Sequence, residues 1–191
     1  MLQDIKLMNK KALTLTEFLV AIAVFFVVFL IIMLALTYTR NSIEMFNISS
    51  SLQEEMQNAL NLITAELRQT RSSKITAGPI TADGLWHTTI SFAIPLDIDS
   101  DGDILNSSGA VEWSNDAPTN WLVNYSLSGN QLIRSAGDGR NPVLANHIVV
   151  LNFRRMPASP MVIEIFITAR QNTFLNRQIE FTLTSNAKMR N

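Results

Sequence analysis

Four aspartates alternate along one short stretch of the chain. Asp97, Asp99, Asp101 and Asp103 occupy the run LDIDSDGDIL, with Gly102 among them. Oxygen ligands at loop positions one, three and five, followed by glycine at six, open a calcium loop of the EF-hand type. Carboxylates this close repel one another, and a divalent cation relieves the repulsion. The twelfth position of such a loop is Ser108 rather than a glutamate, and a strand rather than a helix precedes it. Glu112 supplies the missing carboxylate if the chain folds back. The candidate metal ligands are therefore Asp97, Asp99, Asp101, Asp103 and Glu112, and the candidate ion is Ca2+. Its expected role is structural: ordering a long loop and lowering its conformational entropy. The competing reading is a solvated turn in which the aspartates make Asx-type turns.

A second acid stands where acids are costly. Glu17 borders nineteen apolar residues, Phe18 to Leu36, uninterrupted by charge, proline or glycine. At helical rise these span about 28 Å, close to the hydrocarbon thickness of a bilayer. A carboxylate in that zone is unfavourable unless it is paired, protonated or able to reach the interface. It either finds a counter-ion or sits solvated among headgroups at the helix end. Secretory signals have shorter apolar cores and are cut beyond them; Thr37–Tyr38–Thr39–Arg40 is a poor site for such a cut. Lys6, Lys10 and Lys11 all precede the span, which places residues 1–12 in the cytoplasm and everything after about residue 37 across the membrane.

Other chemistry is sparse. His87 and His147 fall in separate predicted strands and share no cluster with other ligand types. Trp86, Trp113 and Trp121 read as packing residues. The chain has no nucleophile motif, phosphate loop or metal-protease helix, so an enzyme is not expected. A net charge of −1 gives no case for nucleic acid, and the absence of cysteine excludes disulfides and thiol chemistry.

The elements that hold these residues follow from periodicity. From Leu52, apolar residues recur at Met56, Leu60, Ile63 and Leu67, the one-sided stripe of an amphipathic helix. The pattern predicts one helix from about Thr14 to about Ser73, apolar all round in its first half and amphipathic in its second, ended by Gly78 and Pro79. A membrane helix followed by a separate soluble helix is the alternative. Beyond Pro79 the period changes to two. About six strands are predicted: Trp86–Ile94, Trp121–Leu127, Gln131–Arg134, His147–Phe153, Met161–Ala169 and Gln178–Leu183. Ser128, Gly129 and Asn130 form a hairpin loop between the second and third. Short connections favour an antiparallel meander with one face on the amphipathic half-helix, an α+β fold. With 191 residues there is room for one membrane helix and one ordinary domain.

The run Lys10–Lys11–Ala12–Leu13–Thr14–Leu15–Thr16–Glu17, with EFLVAIAV after it, resembles the N-terminus of type IV prepilins and the pseudopilins of type II secretion. In that family a basic leader ends in a small residue, usually glycine, and the mature chain opens on a hydrophobic residue, usually phenylalanine. A glutamate follows four residues later. Ala12 and Leu13 take the positions flanking the cut, and Glu17 takes the glutamate position. The later layout, with its Asp/Gly-rich loop and NYSLSGNQLIR hairpin, is similar to minor pseudopilins of the J or W type.

The resemblance implies a leader of residues 1–12, a long helix over 13–77 with its membrane span at about 18–36, and a β domain over 78–191. It implies cleavage after Ala12 by a prepilin peptidase and methylation of the Leu13 amine. Glu17 would pair with that amine on a neighbouring subunit. The implied location is the bacterial inner membrane, single-pass and filament-associated, with the β domain in the periplasm or otherwise outside the membrane. The implied partners are other pilin or pseudopilin subunits, a platform protein and an assembly ATPase. The function so implied is a minor subunit that primes or caps a secretion pseudopilus or pilus. The alternative from the residues alone is an uncleaved membrane-anchored binding module with a calcium-stabilised β domain.

Overall fold

The computed structural model describes residues 14–119, 121–137 and 139–190. The cleavage positions Ala12 and Leu13, and the rest of the leader, lie outside them. Two compact units make up the chain, one ending at Glu44 and the other starting at Met45.

The first helix, α1 (Leu15–Gln69), is 55 residues long and contains neither proline nor glycine. Its early side chains are uniformly exposed, and among the described residues it alone is long and apolar enough to cross a membrane. Where the apolar run ends, Thr37, Thr39 and Ser42 turn their hydroxyls back onto the carbonyls of Met33, Ala35 and Tyr38. These polar groups thus satisfy themselves within the helix.

In the second unit α1 buries Leu52, Met56, Ala59, Leu60, Ile63, Thr64 and Leu67, the stripe that the spacing predicts. The helix ends at Gln69, before Gly78 and Pro79. The chain turns extended at Arg71 (φ −109, ψ 156), and the buried Thr70 hydroxyl donates to the carbonyl of Ala93 at 2.7 Å. The helix thus ends short of the predicted limit of about Ser73, and Thr70 just beyond it is held by a tertiary hydrogen bond. A short 3-10 turn (Ser72–Lys74) follows.

Nine strands are found among the described residues, in two antiparallel sheets rather than one meander. The first sheet has the order β1 (Ile75–Ala77), β3 (Ile90–Phe92), β4 (Val123–Ser128), β5 (Gln131–Ser135), β6 (Val143–Ala145). The second has the order β2 (Trp86–His87), β7 (Ile148–Arg155), β8 (Val162–Asn172), β9 (Gln178–Lys188). The predicted strand Trp86–Ile94 is divided between them. Trp86 and His87 pair with Arg154 and Phe153, whereas Ile90–Phe92 pair with Tyr125, Asn124 and Val123. The β4–β5 hairpin falls where predicted, but Ser128 ends β4 opposite Gln131 instead of belonging to the loop, which leaves Gly129 (φ +59) and Asn130 as a two-residue turn. One core joins both sheets to the helical stripe, including Phe92, Tyr125, Phe153, Ile163, Ile165 and Ile167.

Gly78, directly after β1, packs closely against the backbone of Thr89 and Ile90 at the start of β3. Its φ is +86, and a Cβ there would lie 2.3 Å from the carbonyl oxygen of Thr89. Gly78→Ala is expected to cost about 1–3 kcal/mol from backbone conformation alone, with the clash in addition. A thermal midpoint equal to that of the unaltered protein would show that this loop can move aside.

Candidate functional site

The first candidate lies at the start of α1. Thr14 offers its backbone N–H to Glu17 Oε2 at 2.9 Å and its hydroxyl to the same oxygen at 2.9 Å. In return the Glu17 N–H donates to Thr14 Oγ1 at 3.3 Å. Thr14-x-x-Glu17 is thus a capping box, in which each side chain satisfies an amide that the helix leaves unpaired. The negative carboxylate also complements the positive end of the helix dipole. Thr16, Val20 and Ala21 line a shallow depression beside it. Glu17 is therefore an exposed acid held by its own first turn, at the head of an apolar helix. The Thr-x-x-Glu spacing was present in the sequence and announces the cap.

The second candidate lies in the second unit. The chain after β3 does fold back: Leu96 N–H donates to the Glu112 carbonyl, and Ser114 N–H to the Ile94 carbonyl. This brings the buried Glu112 beneath the aspartate loop, where its Oε2 accepts the Ile98 N–H at 2.7 Å. Carboxylate oxygens of Asp97, Asp99 and Glu112 come within 4.8 Å of one another. Asp97 is fixed by the amides of Ser100 (2.7 Å) and Gly102 (3.1 Å). Asp101 and Asp103 are outside this group; each accepts from an amide of its own loop, that of Asp103 and of Leu105 respectively. Partial desolvation, then the charges of Asp101, Glu112 and Asp97, push the Asp99 carboxyl above its ordinary range.

The histidines and tryptophans singled out by the sequence belong to neither candidate. His87 and His147 lie in different places: His87 within β2, and His147 just before β7 at φ +60. His87 Nε2 is buried and has no hydrogen-bond partner among the described residues. Trp113 is buried, with Arg71 and Lys74 stacked over it, and Trp86 lies under Arg154 at 4.3 Å. Arg155 ties three segments, donating to the carbonyls of Pro160 and Ile80 and to the Ser72 hydroxyl.

One buried cluster had no sequence signature. Glu66 on α1 accepts from Arg134 Nε at 3.0 Å and from the Tyr125 hydroxyl. Burial first, and then the Glu66 carboxylate, raise the Tyr125 phenol far above its ordinary value, so it stays a donor at any physiological pH. The partners are 59 and 68 residues apart, beyond the reach of any local pattern.

Neither a protein-family model, nor a curated protein, nor a solved structure matches the chain. What stands is an architecture: one long, apolar N-terminal helix followed by antiparallel sheets, compatible with a pilin-like layout.

Proposed function

We propose that the protein is a minor pilin or pseudopilin, a structural subunit that primes or caps a short filament in the bacterial inner membrane. The observation that carries this reading is Glu17 at the head of an uninterrupted apolar helix. An acid there is disfavoured in lipid unless a cation meets it. Cleavage after Ala12 would leave the Leu13 amine, open to methylation, as such a cation on an adjoining subunit. In low dielectric the two charges attract strongly, and each relieves the other's desolvation. The partners are the prepilin peptidase, other pilin subunits, a platform protein and an assembly ATPase. Co-expression with a prepilin peptidase, followed by sequencing from the amino end, tests the proposal. Leu13 as first residue is expected; Met1 would overturn it.

A second reading has its own observation. The capping box gives Glu17 a task within its own chain, as an uncleaved anchor carrying a β domain would need. Intact mass after co-expression with the peptidase would favour it.

In either case the convergence of Asp97, Asp99 and Glu112 is proposed as a calcium site that orders the loop. Saturating calcium should raise the unfolding midpoint of the full chain in detergent. At one hundred times the dissociation constant, the stabilisation is about 2.7 kcal/mol. Asp99→Asn should abolish the shift while leaving the calcium-free protein no less stable, since it removes a repelled charge. In the absence of calcium the sign with pH is fixed as well. The folded state holds the Asp99 proton more tightly than the unfolded state does, so this group's contribution falls as pH rises through its raised folded value. Equal midpoints in calcium and in chelator would reduce the loop to a polar turn.

A further inference from the structure

The β8–β9 hairpin ends in an apolar tip. Phe174 is 90% exposed and Leu175 50%, with the exposed Arg177 two residues on. The tip is well built: Thr173 N–H donates to the Arg177 carbonyl at 2.9 Å, and Asn176 N–H to the Thr173 carbonyl at 2.9 Å. The Thr173 hydroxyl accepts the Arg177 N–H at 3.1 Å, and Asn176 takes φ +57. Apolar groups are thus presented to the outside by a pinned turn.

The position of this tip in the second unit is specific. β9 runs alongside α1: Ser185 meets Thr64, and Arg190 meets Thr70 and Arg71. At the other end Ile179 and Phe181 meet Met45, Phe46 and Ser49 across an open groove. Phe174 and Leu175 lie further along the hairpin still, beyond that groove. They therefore mark the end of the unit at which the chain enters from the apolar segment. Phe46, 72% exposed, stands at the same end. Met45 is only nine positions beyond Leu36, the last of the apolar run. However the two units are angled, that length keeps Met45 within about 30 Å of Leu36, and within about 14 Å as helix.

We propose that the Phe174–Leu175 tip, with Arg177, is a membrane-surface contact that seats the second unit on anionic lipid headgroups. Aromatic and aliphatic side chains beside a cation match the headgroup–acyl boundary, where the ring and chain enter the apolar layer and the guanidinium meets phosphate. The contact would hold the β domain against the bilayer until the subunit is withdrawn into an assembly. It rests on the membrane-span reading of residues 18–36.

The chain contains no cysteine, so single labels can be placed at will. The full chain carrying Leu175→Cys, Val27→Cys or Ser159→Cys is spin-labelled and reconstituted in vesicles of equimolar phosphatidylethanolamine and phosphatidylglycerol. Ser159 lies in the exposed β7–β8 turn, at the opposite end of the hairpin strands. Collisions with oxygen report lipid, and collisions with a water-soluble nickel complex report solvent. The label at 175 is expected to favour oxygen relative to the label at 159, and to lose that preference in phosphatidylcholine vesicles. If 175 matches 159 while 27 lies in lipid, the proposal fails and the span stands. If 27 is itself open to nickel, the span fails and the proposal with it. A label at 175 shielded from both reagents means that a second copy covers the tip, which also overturns a lipid contact.

Discussion

Glu17→Gln is expected to leave the helix capped and, on the filament-subunit reading proposed above, to cut incorporation into filaments by about tenfold or more. Glutamine serves as well as glutamate at this position of a capping box, so the bonds to Thr14 survive. What disappears is the charge. A buried ion pair that loses one member forfeits several kcal/mol, and about 1.4 kcal/mol already corresponds to tenfold. Glu17→Ala removes both cap and charge and should incorporate no better than Glu17→Gln. Immunoblotting of sheared filaments against the membrane fraction reads the outcome. Normal incorporation of Glu17→Gln would confine the residue to capping. Since Glu17 belongs to the first unit and the β core to the second, the unfolding midpoint of the β domain should not move with either variant.

Glu66→Ala should destabilise the second unit by about 3 kcal/mol. Breaking a buried ion pair costs about 3–5 kcal/mol. The lower figure applies because Glu66 retains 13% side-chain exposure. The variant takes from Arg134 the carboxylate beneath its Nε and from Tyr125 the acceptor of its hydroxyl. For a unit of this size, about 3 kcal/mol lowers the midpoint by roughly 6–12 °C, measurable by circular dichroism. Glu66→Gln keeps an acceptor for Tyr125 and should lie between. A midpoint within a degree of the parent for Glu66→Ala would mean that the cluster is a bystander to packing.

The helix was the readable part of the fold. Leu52, Met56, Leu60, Ile63 and Leu67 repeat at helical spacing, and each is buried. The β4–β5 hairpin was readable for a similar reason, since Gly129 and Asn130 announce the turn that fixes its register. The division of Trp86–Ile94 was not. Alternation persists through Thr88 and Thr89 although the hydrogen-bonding partner changes from one sheet to the other. Period two reports which face is buried, not which neighbour is paired. β1 and β6, with three residues each, are too short to show a period at all. In the aspartate loop the spacing singled out the carboxylates. Which of them converge depends on Glu112 arriving from a returning chain, and on the amides that hold Asp101 and Asp103 apart.

The hydrogen bond between Thr64 and Ser185 closes a gap of 121 residues. The greasy stripe of α1 therefore leaves the ribosome, and crosses the membrane if it is exported, long before the strand that flanks it has been synthesised. During that interval part of the stripe lacks its final neighbour, since loop closure over such a distance is slow and late. A chain stopped before β9 should therefore leave apolar surface uncovered and bind a hydrophobic dye that the full chain does not bind.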